Sequence, residues 1–113
     1  AYVIKVNSSG TLVWEKTFGS STTEDGFYSI QKTTDNEYIL VGYYGSDAYV
    51  VKLNSSGTFG WSKTFGGNGS EWLFSITPTL DGGYISVGTS NSFRMMGYDI
   101  YTIKFDSTGV PME

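Results

Sequence analysis

The 113-residue chain contains no histidine and no cysteine. Their absence removes the imidazole general base, the thiol nucleophile and the His/Cys ligand set of zinc, leaving a pair of carboxylates, as in glycosidases, as the remaining catalytic option. Without cysteine there is no disulfide framework, which is compatible with either side of a membrane. Basic residues are scarce: seven Lys and Arg against eleven Asp and Glu give a formal charge of −4, with no cluster to meet a phosphate backbone or an anionic bilayer. No apolar run approaches the roughly 18 residues of a membrane-spanning helix, and no basic-then-apolar leader opens the sequence. Neither nucleic acid nor membrane insertion is expected, and no cofactor is implied.

What is present favours strands. Aromatic residues make up 17% of the chain and glycine contributes 15 residues, alongside abundant Ser and Thr, a composition of short strands joined by tight turns. The 39% of apolar residues can bury a modest core. The expected class is all-β.

Sliding the chain by 47 residues lays AYVIKVNSSGTLVWEKTFG (1–19) on AYVVKLNSSGTFGWSKTFG (48–66). After a one-residue deletion FYSIQKTTDNEYILVG (27–42) falls on LFSITPTLDGGYISVG (73–88), and DIYTIKFDSTG (99–109) opens a third copy. The chain divides into repeat 1 (1–47), repeat 2 (48–99) and a partial repeat 3 (100–113) of one repeat domain. In the second copy, β-branched and aromatic runs bounded by turn residues predict strands at 49–53, 59–65, 72–79 and 84–89. Four short antiparallel strands per period of about 40 to 50 residues is the pattern of a β-propeller blade, with a sandwich or a continuous meander as alternatives. Pro78 lacks an N–H donor and should lie on an edge strand, making 72–79 innermost and 59–65 outermost in a blade.

The string Tyr-Val-Val-Lys-Leu-Asn-x-x-Gly (49–57), with Trp-x-Lys-Thr-Phe-Gly-Gly (61–67), Asp-Gly-Gly-Tyr-Ile (81–85) and Val-Gly-Thr-Ser (87–90), resembles β-propeller repeats of secreted and cell-surface proteins of bacteria and archaea. The first copy departs from it at Asp35-Asn36-Glu37, where Asp-Gly-Gly is expected. The resemblance implies a secreted or cell-surface location and a blade scaffold, without an activity. Two repeats and the start of a third cannot close a propeller alone. The chain is then either a fragment of a longer array or a subunit that assembles with copies of itself, strand 100–105 completing a neighbour's sheet.

Residues repeated in both copies, such as Lys5, Lys52 and Lys104 or Trp14 and Trp61, are expected to serve the scaffold. Differences mark where a site can be specialised. The turns at one end (7–10, 35–37, 54–57, 81–83, 106–109) are stereotyped, while those at the other (19–26, 44–47, 66–71, 90–98) differ in length and chemistry, and binding belongs on the latter. There Trp72, whose counterpart is Gly26, is a candidate aromatic platform, and Phe93, Arg94, Met95 and Met96 offer an adaptable apolar surface with one guanidinium. Glu24, Asp25 and Glu71 supply carboxylates, without the spacing of a calcium loop. Asn7, Asn54 and Asn68 fit the N-glycosylation pattern, a match that chance explains in a Ser/Thr-rich chain.

The expected function is a non-catalytic interaction or assembly module whose partners are another protein or copies of itself. The alternative is a lectin of small propeller subunits that binds carbohydrate through Trp72 and loop carboxylates; a glycosidase is a third reading.

Overall fold

The computed structural model describes residues 1–93 and 97–112. Among them nine strands, every neighbouring pair antiparallel, form three sheets, and there is no helix. The all-β class is as expected. The first sheet holds β1 (Tyr2–Val6) and β2 (Leu12–Thr17). The central sheet is the meander β3 (Asp25–Lys32), β4 (Tyr38–Tyr44), β5 (Asp47–Leu53) and β6 (Phe59–Phe65). The third sheet orders β7 (Glu71–Pro78), β8 (Tyr84–Ser90) and β9 (Asp99–Phe105). Pro78 lies on edge strand β7, where its missing N–H breaks no ladder.

Sheet and sequence repeat are out of phase by two strands: one copy supplies β5 and β6 to the central sheet, then β7 and β8 to the third. The connections decide this. A two-residue turn, Gly45-Ser46, forces β4 and β5 to pair, whereas residues 66–70 let the chain step to the next sheet.

The recurring Asn-Ser-Ser-Gly-Thr is one turn used repeatedly. Asn54 Oδ1 accepts from the Ser56 N–H (3.0 Å), the Ser56 hydroxyl (2.8 Å) and the Thr58 N–H (2.9 Å), and Gly57 takes φ +83°. Asn7 does the same with Ser9 and Thr11, and Asp106 with Thr108 and Val110. This side-chain mimicry of a backbone turn is what Asn and Asp supply.

The central sheet is covered on both faces. One face of β4 and β5 (Ile39, Val41, Ala48, Val50) packs with Leu73, Ile76, Tyr84 and Phe105 of the third sheet. The other (Leu40, Tyr49, Val51, Leu53) packs with Val3 of the first, flanked by Trp14 and Phe18. Trp14 lies over the Gly57 turn and Trp61 over the Gly109 turn; a Cβ added to either glycine would stand 2.8 Å from the indole. At the short-turn end Lys52 pairs with Glu37 (2.9 Å) and Asp35 (3.2 Å), and Lys104 with Asp81 (3.0 Å), while Lys5 stands 5.9 Å over the Tyr38 ring. The departure at Asp35-Asn36-Glu37 is accommodated by Asn36 at φ 67° and used by Glu37 to hold Lys52.

Ile39 and Ile85 occupy equivalent places in the two copies, yet only Ile39 is buried. Ile39→Ala should therefore cost about 2–5 kcal/mol in a urea titration and Ile85→Ala less than about 1 kcal/mol.

Hydrogen bonds from Thr79, Lys104 and the Gly83 N–H hold Asp81 well below the usual carboxylate range; the Thr33 hydroxyl and Lys52 lower Asp35, and Thr108 with the Val110 N–H lowers Asp106. Folded-state values depressed in this way stabilise the fold above the unfolded value near pH 4, and the contribution is lost as pH falls through the folded values. The melting temperature should hold between about pH 7 and 5 and fall below about pH 4, with a shallower acid slope in Asp81→Asn.

Candidate binding surface at the variable-loop end

At the end opposite the stereotyped turns, the segments that step between sheets are tied by backbone bonds to the β4–β5 and β8–β9 connections. The Gly45 N–H donates to the Glu24 carbonyl (2.7 Å), the Glu71 N–H to the Ser46 carbonyl (2.8 Å) and the Asn91 N–H to the Ser70 carbonyl (3.1 Å). Side chains reinforce the last link, Asn91 Oδ1 accepting from the Ser70 N–H (2.6 Å) and Ser92 Oγ from the Gly69 N–H (2.8 Å).

Glu71 organises this knot. Its carboxylate is fully buried and accepts from the Ser90 hydroxyl (2.8 Å), the Gly67 N–H (3.2 Å) and the Ser92 hydroxyl. Three donors occupy it, so it binds loops together instead of facing a ligand. Burial, and secondarily the Glu71 charge, push the nearby Tyr101 phenol above its ordinary value. Asp25, in the equivalent place at the start of β3, accepts from the Ala1 amino group. The Glu24 side chain is exposed. Among the described residues no three acidic side chains come together, so Glu24, Asp25 and Glu71 share an end of the molecule without forming a cluster.

Trp72 is half-buried at the start of β7, between Tyr98 (centroids 6.1 Å apart, planes at 29°) and Tyr43 (6.3 Å, 55°). Tyr43 also meets Tyr28 (5.7 Å), which meets Phe74 (4.9 Å). Five rings thus run in a chain, Tyr28 on edge strand β3, Trp72 and Phe74 on edge strand β7, Tyr43 on the neighbouring β4 and Tyr98 just before β9. Tyr28 and Phe74 are placed by β-bulges, since pairing with β4 and β8 shifts between Phe27 and Ser29 and between Leu73 and Ser75. The bulges fit because the opposing residues are Gly42 and Gly88, where a Cβ would strike Phe27 Cα (2.7 Å) and Leu73 Cα (2.8 Å). Phe93 is exposed and stacks on Tyr101 (6.4 Å, 24°), whereas Arg94, Met95 and Met96 lie outside the described residues. Asn7 and Asn68 are exposed, and Asn54 is half-buried in its turn.

Sequence reasoning missed Tyr28, Tyr43, Phe74 and Tyr98. Tyr28 and Phe74 are equivalent positions, aromatic in both copies, and a residue repeated between copies is expected to serve the scaffold. A separate cleft of about 320 Å³ opens between β1 and β3, lined by Tyr2, Val3, Ile4, Tyr28, Ile30 and Leu40 among others. No protein-family model matches the chain, and no curated protein matches it in sequence.

Glu71→Ala would leave two hydroxyls and one amide without their acceptor, at about 1–3 kcal/mol. Hydrogen exchange should quicken in 66–70 and 91–92 while the turn at 54–58 is unchanged.

Proposed function

We propose that the three sheets are successive blades of a β-propeller architecture and that the chain is a non-catalytic interaction and assembly module of a secreted or cell-surface protein. One observation carries this reading. The apolar residues that are sealed in the central sheet recur on the outward faces of its neighbours and are uncovered there. Tyr2, Ile4 and Val6 are 62%, 50% and 47% exposed, against 8%, 0% and 0% for their equivalents Tyr49, Val51 and Leu53. Ile85 and Val87 are 41% and 43% exposed, against 0% for both Ile39 and Val41. Strands with continuous apolar character suit sheets covered on both sides, and apolar patches of this kind mark interaction surfaces. The radius of gyration, 14.4 Å, exceeds the roughly 13 Å expected of a closed globule of this length, in keeping with an open stack. In the blade reading β3 and β7 are innermost, and the linked aromatic rings face the axis at the variable-loop end as a second contact surface.

The half-exposed Trp72–Tyr98 pair favours carbohydrate as the second reading, since flat rings accept the apolar faces of sugars. A hydrophobic dye such as ANS should bind the wild-type chain, and the double variant Ile4→Glu/Val87→Glu should lose more than half of that fluorescence at an unchanged melting temperature. Undiminished fluorescence would count against the outward faces as the contact surface. Saturable glycan-array binding abolished by Trp72→Ala would replace the assembly reading with the lectin.

A further inference from the structure

We infer that a second copy of this chain docks head-to-tail on the first, the outward face of the third sheet in one copy covering the outward face of the first sheet in the next. This rests on the interaction-module reading and names its partner.

The chain itself shows twice what covers each face. The central sheet turns one face toward the sheet before it and the other toward the sheet after it, and the two faces differ. The side facing forward is built on Ile39, Val41 and Ala48 in the central sheet, all fully buried against the third. The side facing back is built on Tyr49, Val51 and Leu53, buried against the first. By the repeat, the third sheet's forward face carries Ile85, Val87 and Ile100, the last 84% exposed. The first sheet's backward face carries Tyr2, Ile4 and Val6. Each copy therefore carries, at opposite ends of its stack, a forward face and the β1 part of a backward face, Tyr2, Ile4 and Val6 standing where the third sheet presents Tyr101, Ile103 and Phe105, while its two-stranded first sheet has no counterpart of Leu73, Ile76 and Tyr84. A forward face fits a backward face and not another forward face, so the contact is heterologous and generates rings or filaments instead of a two-fold dimer. The six residues are uncharged, and the charged groups beside them already have partners: Glu15, opposite Ile4, accepts from the Tyr2 hydroxyl (2.7 Å), and Lys104, opposite Ile85, pairs with Asp81 (3.0 Å).

The test uses the 113-residue chain and two variants, Ile4→Glu on the backward face and Val87→Glu on the forward face. By sedimentation equilibrium, the wild type should rise above the 12.4 kDa chain mass as concentration increases up to about 1 mM. Each variant alone should stay at 12.4 kDa with an unchanged melting temperature, because each lacks one of the two faces. An equimolar mixture should form a species of twice the chain mass and stop there, since the intact face of one variant meets the intact face of the other. A wild type that remains monomeric, a variant that still self-associates, or a mixture that does not pair would each overturn the proposal. Should either variant unfold, Val6→Lys and Ile100→Glu repeat the comparison on the same faces. The wider reading fails separately, through the dye and glycan measurements on the outward faces and Trp72.

Discussion

The structure depends on burying the central sheet from both sides. β4 and β5 carry apolar residues at consecutive positions, so a single covered face would leave half of them in water. Side chains alternate across a strand, and Ile39, Val41 and Val50 therefore go to one neighbour while Leu40, Val51 and Leu53 go to the other. The third sheet gives one cover through β7, β8 and β9 and the first gives the other with only two strands. Stacking is also what holds the turns: each indole from a preceding sheet lies on the glycine of the next sheet's Asx turn, a contact that admits no Cβ.

That constraint explains the division of labour between the two ends. At the short-turn end the repeat must reproduce the same local geometry, and the same hydrogen bonds recur around Asn7, Asn54 and Asp106. At the other end the chain either steps between sheets or closes the β4–β5 and β8–β9 connections, so length and composition vary, and local solutions appear. Glu71 with Ser90 and Ser92 is one of them. Asp25 stands in its equivalent position with a different partner. Variability at this end reflects freedom from the stacking constraint, and the aromatic chain around Trp72 grows there because open strand edges leave room for it.

Much of the fold was legible in the residues. Strand existence followed from β-branched and aromatic runs between turn signals, and the edge position of Pro78 from its missing donor. The grouping of strands into sheets was less legible, because a repeat can be cut at any phase and only the two-residue turn at Gly45-Ser46 against the longer step at 66–70 selects the pairing. For the candidate site, Trp72 and Phe93 were visible as differences between copies. Tyr28 and Phe74 were hidden by the same comparison, since both copies carry an aromatic ring there. Glu71 read as an available carboxylate because burial is not a property of sequence.

The sequence by itself determined the repeat, the all-β class, the turns and the exclusion of histidine and cysteine chemistry, since these follow from residue type and spacing over a few positions. Only the tertiary structure decided which faces are covered, which carboxylate is sequestered and which rings meet. Those outcomes depend on contacts between residues distant in the chain, and identical residues such as those at Tyr2 and Tyr49 end up exposed or buried according to whether a neighbouring sheet stands against them.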